Sequence, residues 1–386
     1  MTRGKKVAVV MSRLRRCIAL DEPWLVALRA ILRRIASDEA TLVVAAGTAG
    51  AEFVRQGATR LGISCESITV PTDAVDADPN LPLRDRLVIG AAEVVYVLTL
   101  RAEGNIHQLL RERLQQPHRP VILVDQANLQ AESARKDLCE RGAETWQPTA
   151  GQGVPFARLD DRGTDPLPGS TSARNPVSLL APLPRDDNWT FLTHTTRGCP
   201  GPWPDESFDA YANGLLESRP EADHSPLQAL RRIVTQRRLI ASGRTIRGGH
   251  QVISFTACPL ERLPSLHRFR PHRVRWDFEP YGLCLRRDWL LSRGARPVFY
   301  GNEASWNDLP EADRPFFQLA VGDSGIDWSV EQEWRHLGHV DLTDVTPDDV
   351  LLFVPHFQAA KELAAATTWP ITLCPVVAEP EPKSDQ

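Results

Sequence analysis

Apolar residues in the first part of the chain alternate between short continuous runs and longer stretches with helical spacing. The runs lie at residues 6–10, 40–46, 65–70, 93–98 and 120–124. Between the first two runs, Leu25, Leu28 and Leu32 recur at the interval of an amphipathic helix. Continuous apolar strands that alternate with such helices predict a parallel sheet covered on both faces. The pattern therefore predicts a Rossmann-like, doubly wound α/β domain over residues 1–150.

The pattern changes after residue 150. Residues 151–187 are rich in proline, glycine and small polar residues, which predicts a linker. From 188 to 376 strand and helix patterns alternate irregularly, which predicts a second domain of the α+β class. The polar, proline-containing residues 377–386 predict a disordered tail.

Length and charge narrow the class of protein. A chain of 386 residues is too long for one typical core, which agrees with two domains. The formal net charge of −4 gives no global basic field for nucleic acid, although arginines concentrate at 231–247 and 262–296 and allow a local basic face. No apolar run is long enough to span a bilayer, and the first residues lack the apolar region of a signal peptide.

Cysteine usage points to the same kind of compartment. The seven cysteines are widely spaced and contain no Cys-x-x-Cys pair, which argues against a disulfide framework and against a zinc site. We therefore expect a cytoplasmic protein with reduced cysteines and no metal.

Polar and glycine-rich loops follow the predicted strands of the first domain. The candidate ligand contacts are Ser12 and Arg13 after the first strand, and Gly47, Thr48 and Gly50 after the second. Ligands of open parallel sheets bind at the carboxyl ends of strands, and a glycine-rich turn that opens a helix offers N–H groups to an anion. There is no Walker motif and no complete Gly-x-Gly-x-x-Gly. The loops predict a nucleotide-type ligand, and the alternative is a set of tight turns that simply need glycine.

The tripeptides Ser12-Arg13-Leu14 and Ala46-Gly47-Thr48, each after a strand, resemble those of SLOG-type Rossmannoid domains. The resemblance covers about residues 5–147. It implies a nucleotide- or NAD-sensing module of the kind found in bacterial defence and DNA-processing proteins.

Two glutamates near the end of the second domain form the most chemically suggestive pair. Glu331 and Glu333 are one residue apart, so in an extended strand both carboxylates would face one cleft. A different interpretation is an ordinary surface strand or helical turn in which Glu331 pairs with Arg335. A structural pair of Glu333 with Arg335 is a further alternative.

The order of segments in the second domain, which ends in Glu-Trp-Arg at 333–335, resembles the abortive-infection AbiGi-like group of bacterial defence proteins. It more distantly resembles the ADP-ribosyltransferase fold of DNA-modifying toxins, over about residues 189–356. The transferase resemblance implies the following roles: His194 for the NAD ribose, Ser254 or Thr256 for the nicotinamide pocket, Tyr281 for ring stacking, Arg197 and Arg244 for the pyrophosphate, and Glu333 or Glu331 for catalysis. The Ser-Thr-Ser triplet and the adjacent Tyr-His pair of that fold are missing from the sequence.

The leading hypothesis is a bacterial defence or toxin-type protein. Its first domain would sense a nucleotide and control a second, ADP-ribosyltransferase-like or NAD glycohydrolase effector, with NAD as cofactor and with nucleic acid or protein as acceptor. One alternative is a non-enzymatic abortive-infection regulator or antitoxin-like binding protein. A second is a Rossmann-type nucleotide-processing enzyme with the rest as scaffold. No membrane partner is expected, and a homo-oligomer is compatible with each hypothesis.

Overall fold

The computed structural model describes residues 5–12, 19–48, 50–70, 81–125, 129–149, 151–157, 176–199, 201–244, 246–270, 275–321 and 327–375. The chain divides into a first unit of residues 1–164 and 200–223, and a second unit of residues 165–199 and 224–386. The sequence-based boundaries, 1–150 and 188–376, differ from this division, because residues 200–223 pack with the first unit. Arg13, residues 158–175 of the predicted linker and the predicted disordered tail lie outside the described residues.

A six-stranded parallel sheet in the order β3-β2-β1-β4-β5-β6 forms the centre of the first unit. Its strands are β1 (Lys6–Met11), β2 (Thr41–Ala45), β3 (Cys65–Ile68), β4 (Val94–Thr99), β5 (Val121–Val124) and β6 (Glu144–Trp146). The helices are α1 (Pro23–Ser37), α2 (Ala51–Arg60), α3 (Leu83–Ala91), α4 (Asn105–Leu114), α5 (Glu132–Glu140) and α6 (Phe208–Leu216). This is the Rossmann strand order, and the predicted Rossmann-like α/β fold is confirmed.

Both faces of this sheet are covered, as the continuous apolar strands predict. Along β1, Val7 and Met11 enter one apolar cluster, which contains residues of α1, α2 and α6. Ala8 and Val10 enter another, which contains residues of α3, α4 and α5. Alternate side chains of one strand thus serve two cores, since strand side chains point to opposite faces in turn.

Helix α6 is a part of the first unit that the sequence pattern did not assign to it. Its Phe208 and Tyr211 rings pack edge-on against Phe53 of α2, with centroids 5.3 and 6.3 Å apart. At the other end of α6, the buried Arg29 guanidinium donates to the Leu215 and Leu216 carbonyls at 2.7 and 2.9 Å. These are the carbonyl groups that a helix end leaves without an intrahelical partner, so Arg29 fixes α6 in place.

The second unit contains a seven-stranded sheet in the order β13-β16-β9-β7-β12-β18-β19. Its strands are β7 (Phe191–Thr195), β9 (Val252–Thr256), β12 (Gly282–Arg286), β13 (Arg296–Pro297), β16 (Glu333–Leu337), β18 (Val350–Val354) and β19 (Ile371–Leu373). Smaller two-stranded sheets pair β8 (Arg238–Leu239) with β17 (Val340–Asp341), β10 (Arg268–Arg270) with β11 (Arg275–Asp277), and β14 (Phe299–Gly301) with β15 (Phe317–Leu319). The helices are α7 (Pro226–Gln236), α8 (Leu263–Leu266), α9 (Arg287–Leu291), α10 (Glu303–Asp308) and α11 (Phe357–Ala364).

Neighbouring strands of the large sheet are antiparallel except β18 and β19. Strands β7 and β9 are partners only at Thr193 and Thr256, and the sheet opens between them beyond that pair. Helix α7 is shorter than its apolar pattern suggests, because Arg237 adopts a left-handed conformation and ends it.

The segment that carries the two glutamates is not extended. Residues 329–331 form a 3-10 turn, in which the Gln332 N–H donates to the Ser329 carbonyl at 3.0 Å. Gln332 is left-handed, with φ of 45°, and β16 begins only at Glu333. The expected strand alternation therefore does not relate Glu331 to Glu333.

Candidate functional site

Three segments of the first unit lie at the carboxyl edge of its sheet, where the strand order reverses between β1 and β4: Ser12 at the end of β1, and the loops after β2 and β4. Ser12 ties two of them together: its N–H donates to the Thr99 carbonyl at 3.0 Å, and its hydroxyl accepts from the Arg101 N–H at 3.0 Å. The loop after β4 is fixed from below by His107, whose Nδ1 accepts from the Glu103 N–H at 3.2 Å. Hydrogen bonds thus fix Ser12 and the loop after β4 to each other.

The loop after β2 needs glycine at two positions. Gly47 and Gly50 have φ of 80° and 69°, a region that L-residues other than glycine rarely adopt. A Cβ on Gly50 would also overlap the sulfur of Met11 at the end of β1. The Thr48 hydroxyl donates to the Ala45 carbonyl at 3.0 Å, which closes the turn before α2. Helix α2 starts at Ala51 without a side-chain cap, so its first N–H groups face the end of this loop.

Arg84 is a residue that the sequence analysis missed. It lies in the first turn of α3, and its Nη1 atom is 3.0 Å from the position of a Cβ on Gly47. The exposed guanidinium therefore lies against the glycine loop. Nothing local in the sequence marks Arg84, because its neighbourhood with Gly47 is produced by the crossover of α3.

In the second unit, strand register places His194 and Glu333 on opposite faces of the large sheet. Glu333 is level with Thr256, and Thr256 is level with Thr193. His194 is one residue further along β7, level with Phe255, whose ring centroid is 5.7 Å away. Side chains level with each other share a face, and consecutive side chains do not. The structure therefore does not bring His194 and Glu333 together.

The His194 imidazole forms a hydrogen bond within the sheet itself. Its Nδ1 is 2.9 Å from the Ser254 carbonyl, and because a carbonyl only accepts, this nitrogen carries the proton. Burial and the charge of Arg197 together lower the pKa of His194 to about 4, against the raising effect of the hydrogen bond to the Ser254 carbonyl. The neutral imidazole thus bridges β7 and β9 near the place where they separate.

Both oxygens of Glu333 are bound by one guanidinium. Arg335 Nε and Nη2 are each 2.9 Å from a Glu333 carboxylate oxygen, and the Arg335 side chain is almost fully buried. Arg335 Nη1 also donates to the Pro315 and Phe317 carbonyls, at 2.9 and 2.7 Å. The carboxylate is 14% exposed and accordingly keeps a narrow opening to solvent.

Glu331 belongs to a different ion-pair group. Its carboxylate lies 3.4 Å from Arg270, which also binds Asp277 at 3.0 Å. Arg270 stacks over the Trp328 ring at 4.6 Å. The alternative pair of Glu331 with Arg335 does not form, since Arg335 binds Glu333 instead.

The two hydroxyls of β9 have different surroundings. The Thr256 hydroxyl is buried, donates to the Glu331 carbonyl at 2.5 Å and accepts from the Cys258 N–H at 3.0 Å. Ser254 is partly exposed, is level with Arg335 and therefore lies on the face of Glu333. Among the described residues the Ser254 hydroxyl makes no hydrogen bond. Ser254 is thus the better placed of the two to contact a ligand.

A third group of charged residues lies where β7 ends and β12 begins. Burial raises the pKa of Glu279 to about 7, and the charge of Arg197 opposes the rise. Tyr281 is two residues further along the chain, and burial and the charge of Glu279 raise its pKa. Because Arg197 acts on His194 as well, these side chains form one cluster. Glu279 was missed, although its place between Phe278 and Pro280, three residues before a buried strand, is a signal for a buried acid.

Arg244 is exposed in the loop after β8, and its N–H donates to the Ser242 hydroxyl at 3.4 Å. No group of three or more metal-binding side chains is found within the described ranges. In that same part of the chain, none of the helices has both the length and the apolar character that crossing a membrane requires.

Comparisons with known proteins give remote likeness only. No protein-family model and no curated protein matches this sequence. The molybdenum cofactor carrier protein of Chlamydomonas reinhardtii is similar at 17% identity, with a TM-score of 0.30, over 39% of this chain and 94% of that one. DNA processing protein A of Streptococcus pneumoniae is similar at 16% identity, with a TM-score of 0.29, over 39% of this chain and 60% of that one. The molybdenum cofactor binding protein of Rippkaea orientalis is similar at 16% identity, with a TM-score of 0.29, over 40% of this chain and 94% of that one. The Rossmann-like assignment of the first unit therefore rests on its own strand order.

Proposed function

We propose that the first unit binds a nucleotide-type ligand at the carboxyl edge of its parallel sheet. The observation that carries this proposal is the reversal of strand order between β1 and β4. Helices that leave neighbouring strands toward opposite faces open a crevice at such a point, and ligands of open α/β sheets bind there.

The rim of this crevice suits a phosphate group. Gly47 and Gly50 allow the left-handed backbone of this loop, and Arg84 adds a positive charge beside Gly47. Helix α2 begins directly after this loop, so its amino end, where the helix dipole favours an anion, lies beside it; the Ala51 N–H itself donates to the Thr48 carbonyl at 3.2 Å. Ser12 and Thr48 place hydroxyls along the rim, with their carbonyl and N–H partners holding them in position.

Calorimetric titration with ADP, NAD and GTP tests this site. We expect Arg84→Ala to weaken binding by about tenfold or more, because a charge-assisted hydrogen bond is worth about 1.5–3 kcal/mol. The matched control is Arg34→Ala. Arg34 lines a depression of about 220 Å³ at the amino edge of the sheet, together with Lys5, Tyr96 and Glu144. Loss of binding in Arg34→Ala but not in Arg84→Ala would place the ligand at the wrong edge and overturn the proposal.

We propose, as a second candidate function, that the second unit is an ADP-ribosyltransferase-like effector centred on Glu333. It is favoured by one feature: Glu333 and Ser254 share a face next to the opening between β7 and β9. Loss of nicotinamide from NAD creates positive charge on the ribose, and a fixed carboxylate stabilises such a charge. Arg335 holds Glu333 in one rotamer with both oxygens directed, which is the preorganisation this role needs.

The role of His194 changes in this proposal. Its Nδ1–H donates a hydrogen bond to the Ser254 carbonyl, and its ring lies on the face opposite Glu333. His194 therefore supports β9 rather than holding a ribose beside Glu333. Thr256 supports the Glu331 backbone in the same way. The residues proposed to contact NAD are therefore Glu333 and Ser254.

Chromatographic measurement of nicotinamide release tests the effector, with and without nucleotide and nucleic acid. We expect Glu333→Gln to lower release by about 10² or more, as loss of an electrostatic stabiliser does in other enzymes. Ser254→Ala should lower it less, and His194→Gln should retain it if circular dichroism shows the fold intact. No release by the wild-type protein under any of these conditions would contradict the proposal and favour the non-enzymatic regulator.

The proposed biological role is bacterial defence, in which ligand binding to the first unit controls the effector. Cells that express the wild-type protein should form fewer phage plaques than cells that express Glu333→Gln. Equal plaque counts with equal protein levels would remove the defence role. Loss of all activity in Arg84→Ala and Thr48→Ala, with Glu331→Gln and Glu333→Gln active, would favour a Rossmann-type nucleotide-processing enzyme instead.

A further inference from the structure

The first turn of α3 contains a carboxylate at the carboxyl edge of the sheet in the first unit. Asp85 precedes the buried Val88 and Ile89 by three and four residues, and those two side chains pack in the apolar cluster between the sheet and its helices. Residues at these intervals share one face of a helix, so Asp85 lies on the inner face of α3, at its amino end. Its neighbour Arg84 lies against the loop of Gly47, which places this turn beside the proposed nucleotide site.

The usual local partner of an acid at this position is absent. Asp85 is the third residue of α3, where a carboxylate can accept from the backbone N–H of the residue that caps the helix. Here the cap residue is Pro82, which has no N–H. Among the described residues the Asp85 carboxylate forms neither a hydrogen bond nor an ion pair, and the same is true of the Arg84 guanidinium. Both charged groups are therefore available to a ligand.

Burial makes the free carboxylate unfavourable in the empty protein. Asp85 is only partly exposed, and burial raises its pKa although the charge of Arg84 opposes the rise. An acid in the first turn of a helix ordinarily has the opposite shift, because the helix dipole stabilises its charge. A ligand that donates hydrogen bonds to Asp85 would compensate the carboxylate for the water it has lost.

The charge next to Asp85 selects the kind of donor. Arg84 attracts an anion and repels a cation, so it disfavours an ammonium group or a bare metal ion beside Asp85. A ligand that combines an anionic group with neutral hydroxyl donors satisfies both side chains. Nucleotides have this composition, since the phosphate matches Arg84 and the two ribose hydroxyls can donate to the oxygens of one carboxylate.

We propose that Asp85 binds the ribose hydroxyls of the nucleotide whose phosphate binds at Arg84. This inference rests on the proposed nucleotide site of the first unit and gives that site its specificity. It predicts that the protein distinguishes ADP from the dideoxy analogue of ADP, which has the same base and phosphates but lacks both ribose hydroxyls. A site that hydrogen-bonds a hydroxyl rejects an analogue without it, because the partly buried acceptor is left unpaired.

Calorimetric titration of the full chain with ADP and with dideoxy-ADP tests the proposal. We expect the wild-type protein to bind ADP about tenfold or more tightly, the range of a hydrogen bond to a charged group. Asp85→Asn should remove most of this preference by weakening ADP binding, and should bind dideoxy-ADP at least as tightly as wild type does. Arg84→Ala should weaken both nucleotides and keep the preference.

The matched control is Glu132→Gln. Glu132 is an exposed acid in the first turn of α5, in the same unit, and its replacement should change neither affinity. Thermal unfolding without ligand gives a second measurement. Asp85→Asn should melt above the wild type, because it removes a charge that folding disfavours, whereas Glu132→Gln should melt at or below it.

The possible failures are distinguishable. Equal wild-type affinities for ADP and dideoxy-ADP, with both weakened in Arg84→Ala, would reject the role of Asp85 and retain the nucleotide site. A full ADP preference in Asp85→Asn would also reject that role, and a lower melting temperature of this variant would show that the carboxylate already has a partner. Binding of neither nucleotide to the wild-type protein would overturn both the site and its specificity.

Discussion

The two units place their candidate groups in different kinds of structure. In the first unit, Ser12, Gly47 and Gly50 lie in loops after parallel strands, and the loops converge because all strands point the same way. In the second unit, His194, Ser254 and Glu333 lie within or at the ends of largely antiparallel strands. Register there decides which side chains share a face, and a shift of one residue reverses the answer.

A sequence motif therefore predicts the position of a loop residue better than that of a residue inside a strand. The fold class alone is enough to place a loop that follows a parallel strand at the carboxyl edge of the sheet, where ligands bind. A residue inside a strand needs its exact partner, since His194 and Thr193 differ by one position and face opposite sides. Charges inside the second sheet are also part of its stability, whereas the loop after β2 in the first unit contacts the apolar core through Gly50, beside Met11.

The largest expected effect is at Arg335. Arg335→Met leaves the mostly buried Glu333 carboxylate without its counter-charge, and breaking a buried pair in this way costs about 3–5 kcal/mol. Urea unfolding should report this loss. The control Arg296→Met breaks a pair with Asp313 in which the side chains are 50% and 45% exposed, and should cost at most about 1 kcal/mol. Equal losses would show that Glu333 is not held as a structural charge.

The loop of the first unit is tested by two glycines with nearly equal conformation. Gly50 and Gly62 have φ of 69° and 66°, but a Cβ meets Met11 at Gly50 and nothing within 4 Å at Gly62. Both alanine substitutions carry the cost of the left-handed backbone, about 1–2 kcal/mol. We expect Gly50→Ala to lose about 1–3 kcal/mol more, through overpacking, together with ligand affinity. Thermal unfolding of the pair measures the difference, and equal melting temperatures would contradict the overlap.

The cluster of His194 and Glu279 predicts opposing pH effects. The folded pKa of His194, about 4, lies below its ordinary 6.5, so protonation favours the unfolded chain and stability falls as pH drops from 6.5 to 4. The folded pKa of Glu279, about 7, lies above its ordinary 4.5, so stability rises as pH drops from 7 to 4.5. The two contributions partly cancel in the wild type.

Single variants should separate these contributions. Glu279→Gln should lose stability on acidification by about 1–3 kcal/mol more than wild type, because only the His194 penalty remains. His194→Gln should change in the opposite direction. Denaturant unfolding at pH 7.5, 6 and 5, which lie above and within the two windows, checks both. Parallel pH profiles of the two variants would show that neither group titrates differently on folding.

The smallest expected effect distinguishes the two hydroxyls of β9. Thr256→Val removes a buried donor to the Glu331 carbonyl and should cost about 1–2 kcal/mol. Ser254→Ala should stay within about 0.5 kcal/mol, as surface changes do, while lowering nicotinamide release. Urea unfolding paired with the release assay measures both. A large stability loss in Ser254→Ala would assign Ser254 to the sheet rather than to a ligand.

Much of the first unit could be predicted because its signals are local. The runs at residues 6–10, 40–46 and 120–124 contain strands β1, β2 and β5, and the helix over residues 24–35 forms with its apolar side in the core. Helix α6 could not be assigned, since its Phe208 and Tyr211 reach α2 across about 150 residues of chain. In the second unit the turn at Gln332 was not predicted, because a left-handed glutamine carries no sequence signal as strong as glycine does.

The amino-acid sequence is sufficient to predict a parallel α/β sheet in the first unit and the glycine-rich loop after β2, and it names the charged residues of the second unit. Periodicity and glycine positions encode these features over a few residues. Three facts are visible only in the folded structure: Arg84 lies by Gly47, Glu333 binds Arg335, and His194 faces away from Glu333. Those facts depend on crossovers and strand register, which bring together residues distant in the chain and leave no periodic trace in it.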